Sequence, residues 1–130
     1  MKKIFLLGVL GILLVSACSN GTADKEKPAI ASMGAEVLLK GVLIDNLCAE
    51  TNKANLPEFV KKHTKECALM PNCAASGYSL YSEGKLQQFD KESNAKIEKF
   101  LMDKKSTLKV DVRAKAAGDK LILIDIVNGN

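Results

Sequence analysis

Glu36-Val37-Leu38-Leu39-Lys40-Gly41-Val42-Leu43-Ile44-Asp45 is the stretch on which the fold turns. It is apolar on alternate and adjacent positions alike, which predicts a strand covered on both faces and so central in its sheet. Gly41 interrupts its middle and marks a bulge or a sharp bend. Asn46 to Asn55 then reads as a polar loop carrying Cys48. A helix is predicted next, with Asn55 as N-cap, Pro57 in the first turn and Glu58 as a capping-box partner. Leu56, Phe59, Val60, His63, Cys67 and Met70 fall on one stripe at helical period, so His63 and Cys67 belong to its buried face. Pro71 ends this helix and Gly77 opens the next turn.

Beyond Gly77 the pattern changes to strands. Gly77 to Ser82 and Lys85 to Phe89 form a hairpin around Glu83-Gly84, and Asp90 to Asp103 is a second helix carrying Ile97, Phe100 and Leu101. Thr107 to Lys115 alternates strictly, with Leu108, Val110, Val112 and Ala114 on one face and charged residues on the other. Gly118-Asp119 turns the chain into Lys120 to Val127, apolar nearly throughout and expected to be central. The chain is thus mainly β with two helices. Five strands with a helix between the third and fourth match the layout of an OB-like barrel, here with a helix inserted between strands 1 and 2. An open α+β sheet with both helices on one face is the alternative.

The first residues are of another kind. Lys2-Lys3, the apolar run Ile4 to Val15 and the box Val15-Ser16-Ala17-Cys18 follow one another in order. This resembles the signal and lipobox of bacterial lipoproteins. The resemblance implies a signal peptide over 1–17, removal before Cys18, diacylglycerol on the Cys18 sulfur, and palmitate among the acyl chains of the anchor. The mature chain would then hold to membrane lipid through its acyl chains without crossing the bilayer. Ser19, where Asp would retain the protein at the inner membrane, directs it to an outer membrane facing the periplasm if the cell has two. Residues 18–34, rich in Ser, Asn, Gly, Lys and Pro, read as a tether, and 35–130 as the single folded domain.

Charge narrows the function further. The chain has a formal charge of +4, and loss of residues 1–17 removes two lysines and no acid, leaving +2. Lysines stand among acids, as Lys61-Lys62 does between Glu58 and Glu66. No basic stripe is present, and nucleic acid is not an expected partner. The partner expected of the domain is an unidentified protein or small-molecule ligand.

Gly41 to Asp45, Cys48, His63-x3-Cys67 and Cys73-Ala-Ala-Ser-Gly77, followed by a Gly-Lys hairpin and a closing hairpin, together resemble a group of small exported bacterial proteins with an OB-like domain. The likeness supports the fold and treats the His/Cys segment as a unit, and it implies no activity.

With Cys18 spent on lipid, Cys48, Cys67 and Cys73 remain, an odd number in an oxidising compartment. Any two can pair and leave one thiol. A bridge from Cys48 closes a loop of about twenty residues and restrains the unfolded chain by about 3 kcal/mol. The leading expectation is therefore a non-catalytic binding or accessory domain stapled by one disulfide, with no cofactor. The second is a metal site. His63 and Cys67 at i and i+4 on one helix reach a common ion, and Cys73 and Cys48 complete a Cys3His set suited to zinc or copper. A thiol enzyme, with Asp45 or Glu66 orienting His63, is the weakest of the three, because no Cys-x-x-Cys motif, phosphate loop or nucleophile elbow accompanies the pair. Asp45, Asp111 and Asp125 read as strand-surface acids.

Overall fold

The computed structural model describes residues 34–130. The expected signal peptide, the expected lipobox with Cys18 and nearly all of the expected tether lie outside the described residues. The chain runs β1 (Glu36–Asp45), α1 (Asn46–Thr51), a 3-10 turn (Lys53–Asn55), α2 (Leu56–Phe59), α3 (Lys65–Ala68), α4 (Pro71–Ala75), β2 (Tyr78–Ser82), β3 (Lys85–Phe89), α5 (Lys91–Met102), β4 (Lys109–Ala117) and β5 (Lys120–Asn128). The protein is mainly β. Its five strands close into a ring in the order β1-β2-β3-β5-β4, so the open sheet expected as the alternative does not form.

Closure depends on β1 serving two neighbours. Its first part pairs antiparallel with β4, from Glu36 with Lys115 to Val42 with Lys109. Its last part pairs with β2, from Val42 with Tyr81 to Asp45 with Tyr78. Gly41 sits where the strand passes from one partner to the other, and a Cβ there would run into the Tyr81 carbonyl oxygen and the Leu80 side chain. The glycine thus permits the close approach of the Tyr81 backbone where one strand joins both sides of the ring. β2 and β3 form a hairpin whose turn residues Glu83 and Gly84 both take positive φ, 50° and 76°, the requirement of a type I′ turn. β3 meets β5 in a short parallel pairing at Gln88–Lys120 and Phe89–Leu121.

Both faces of the β1 end are covered, by different things. Leu43 enters the main core with Tyr78, Leu80, Phe89, Ile97 and Val112, each 2% exposed or less. Ile44, on the other face, packs with Ala49, Leu56 and Val60 of the inserted segment in a second cluster. Burying a side chain of this size stabilises by about 1.5–3 kcal/mol, and the doubly apolar pattern of β1 follows from having two cores to fill. The expectation fails at the start of the strand, where Leu38 is 80% exposed because no layer covers that end.

β5 is similar. Leu121 and Leu123 face the core, Ile122 and Ile124 face outward, and the pairing with β4 slips between Arg113 and Ala114. The slip leaves Ile124 as the extra residue and returns Ile126 to contact with the core. The long apolar run therefore reflects a bulge as well as a central position. α5, capped by Asp90 through a bond from Ser93 N, sets Ile97 and Leu101 into the core. It is tied to β5 by the Leu123 N–H, which donates to Ser93 Oγ at 2.7 Å.

The inserted segment departs most from expectation. Residues 46–55 hold α1 and a 3-10 turn where a loop was predicted, and the long helix from Asn55 to Met70 is two short ones. It breaks at His63-Thr64, because Thr64 takes extended backbone (φ −112°, ψ 158°) and its side-chain oxygen accepts from Cys67 N at 3.2 Å. A threonine that can cap a new turn competes with continuing the old one. Pro71 is the first residue of α4, where its fixed φ suits a helix start. Met70, expected on the buried stripe, is 55% exposed, and Ala68 is the fully buried residue of that turn.

Candidate metal centre

Asp45 is the residue around which the site is assembled. It is the last residue of β1 and the N-cap of α1, where Oδ1 accepts from Cys48 N at 2.8 Å. That bond fixes the start of α1 and with it the position of the Cys48 side chain. The other oxygen, Oδ2, lies 2.9 Å from His63 Nε2, and both side chains have no solvent exposure. What exposure His63 has is therefore on its backbone. Asp45 is not the strand-surface acid the sequence suggested; of the three, Asp111 pairs with Lys40 at 3.3 Å and Asp125 is exposed beside Arg113. Glu66, the other acid considered for His63, is exposed in the first turn of α3.

A carboxylate can only accept, so the proton of a neutral imidazole lies on Nε2 and Nδ1 presents a lone pair. Nδ1 is buried and has no hydrogen-bond partner among the described residues. An unpaired buried polar atom costs about 1–3 kcal/mol, so this one calls for an explanation. The Phe59 ring stacks at a tilt against the imidazole with centroids 5.4 Å apart and offers it no hydrogen bond.

The three expected cysteines gather here. Cys48 Sγ and Cys67 Sγ are 4.0 Å apart, and a ring nitrogen of His63 completes a set of three atoms within 4.8 Å of one another. A carboxylate oxygen of Asp45, Cys48 Sγ and Cys73 Sγ form a second such set. Cys48 belongs to both. The four residues predicted as ligands, Cys48, His63, Cys67 and Cys73, are thus brought together, but as two overlapping triads. His63 and Cys67 do not reach this place as i, i+4 neighbours on one helix; the chain break at Thr64 brings Cys67 round on α3. Cys48, Cys67 and Cys73 are thiols in this arrangement.

Electrostatics disfavour a bare thiolate. Burial first, and the Asp45 charge second, push the Cys48 thiol well above its ordinary value and the Cys73 thiol in the same direction. An activated cysteine nucleophile needs the opposite environment. A cation placed among these sulfurs would reverse the balance.

Asp45 is the residue that sequence reading undervalued. Its signal was the Asp45-x-x-Cys48 spacing, in which a carboxylate reaches the backbone N–H three residues on, as an N-cap does. No protein-family model, curated protein or solved structure matches the chain.

Proposed function

We propose that this protein is a membrane-anchored lipoprotein of the bacterial cell envelope whose domain is non-catalytic and binds a metal ion, zinc or copper, through Cys48, His63 and Cys67. One observation carries the metal reading: His63 Nε2 is fixed by the buried Asp45 carboxylate while Nδ1 is buried without a partner. Histidines that ligate metals hand their other ring N–H to a carboxylate in this way, which fixes the tautomer and aims the free nitrogen. Thiols raised by burial and by Asp45 do not suit an activated nucleophile.

The ring order β1-β2-β3-β5-β4, the helix α5 between β3 and β4, and a first strand that passes from β4 to β2 at a glycine support reading the domain as an OB-like barrel. For the anchor, the support is the lipobox ending in Cys18. No helix among the described residues is long and apolar enough to cross a membrane. Replacing Cys18 with Ala should move the protein from the membrane to the soluble fraction.

A second reading has its own observation. Cys48 and Cys67, 4.0 Å apart, are close enough to be joined by a small movement, since a disulfide needs about 2.05 Å. The domain would then be a stapled accessory module.

The test is equilibrium dialysis of the reduced full-length chain in detergent against Zn2+ or Cu+. One ion per chain, lost in His63→Ala and Cys48→Ser, is the expected result. Substoichiometric binding that ignores both substitutions would remove the metal reading.

A further inference from the structure

We infer that the centre is built for a soft monovalent ion of the Cu(I) class held by three ligands, Cys48 Sγ, Cys67 Sγ and a ring nitrogen of His63, and not for four-coordinate zinc. This rests on the metal-binding reading above and gives it a chemistry.

The ligand count is the first reason. Cys73, the fourth ligand a tetrahedral Cys3His site requires, falls in the triad with Asp45 and Cys48 and not in the one with His63 and Cys67. It is held there by α4, whose Cys73 carbonyl accepts from Ser76 Oγ at 2.6 Å. Asp45 is no substitute. Each of its oxygens already takes a hydrogen bond, one from Cys48 N and one from His63 Nε2, and a carboxylate is a hard ligand.

The second reason is the softness of the donors, two sulfurs 4.0 Å apart and an imidazole nitrogen. Two thiolates and one imidazole satisfy a soft d10 ion at coordination number three, whereas zinc in a structural site takes four ligands.

On binding, Cys48 and Cys67 each release a thiol proton to solvent as the sulfur bonds to the ion, and neither metal nor protein changes oxidation state.

The experiment uses the full-length chain in detergent, kept anaerobic with a phosphine reductant and loaded with Cu(I) or Zn(II) alone. X-ray absorption on the unmutated protein reads the ligand set, and competition with a chelator selective for each metal reads the affinity. The expected copper shell is two sulfurs and one nitrogen. Cys67→Ser and His63→Ala should each weaken Cu(I) by about 100-fold or more, while Cys73→Ser leaves it within about 3-fold. A three-sulfur, one-nitrogen shell, with Cys73→Ser as damaging as Cys67→Ser, would overturn the three-ligand assignment and leave the metal reading standing. Failure to hold either ion at one per chain would overturn both.

Discussion

His63 Nε2 lies 2.9 Å from Asp45 Oδ2, and neither side chain is touched by solvent. The pair joins the end of the first strand to the turn that breaks the inserted segment. The ring orientation of the chain's single histidine is thus set by a residue that is itself fixed as the cap of α1.

Asp45→Asn tests that arrangement with little change of shape. Asparagine offers one oxygen and one NH2 where aspartate offers two acceptors, so either Cys48 N loses its acceptor or the NH2 faces His63 Nε2, which can accept it only with the ring proton moved to Nδ1. The expected result is a loss of about 10–100-fold in metal affinity by chelator competition. Urea unfolding of the metal-free chain should show a cost of about 1–3 kcal/mol. Asp45 acts as a positioning residue, so the shell read by X-ray absorption should keep the same atoms and become more disordered.

Thr64→Ala removes the cap of α3, where Thr64 Oγ1 accepts from Cys67 N at 3.2 Å. A lost cap of this kind costs about 1 kcal/mol. Because the bond also fixes the backbone of Cys67, metal affinity should fall with stability, and Thr64→Ser should restore both. Denaturant midpoints and chelator competition on the two variants check this.

Gly41→Ala places a Cβ against the Tyr81 carbonyl oxygen at the point where β1 changes partners. Backbone cannot yield there as a flexible side chain would, and the expected destabilisation is about 1–3 kcal/mol. A lower urea midpoint at unchanged m-value is the sign to look for.

Asp90 supplies a pH dependence of its own. Its carboxyl is held below its ordinary value chiefly by the Ser93 side chain, with the Ser93 N–H adding to it, as the cap of α5. A depressed folded-state value means that Asp90 adds stability above its unfolded value of about 3.9, and that this is lost as pH falls through the folded value. Asp90→Asn keeps a capping oxygen and removes the titration. The stability difference between the two proteins should be constant above about pH 5 and shrink toward zero as acid is added below that. Urea midpoints across this range measure it.

The sheet was legible because its residues obey one rule each. The alternation from Leu108 to Ala114 matches β4, the Glu83-Gly84 turn matches the hairpin, and Asp90 stands at the start of a helix that ends at Met102. The inserted segment was not legible, because there the helical stripe and the capping residues disagree. Leu56, Phe59, Val60 and His63 recur at helical period through the break, yet Thr64 can satisfy Cys67 N and start afresh. Gathering of the cysteines and His63 was expected, whereas the route was not. Asp45 was hidden for a related reason: a carboxylate ending an apolar strand looks like a solvent-facing residue until the helix it caps folds over it.

The central claim is that Cys48, His63 and Cys67 hold an ion. The most direct test is an intact mass with elemental analysis on the full-length chain, purified in detergent from an oxidising envelope without chelator. The account expects one soft metal ion per chain, with Cys48, Cys67 and Cys73 all unbridged. A chain two hydrogens lighter, with Cys48 joined to Cys67 and no metal, would contradict it and leave the stapled accessory domain in its place.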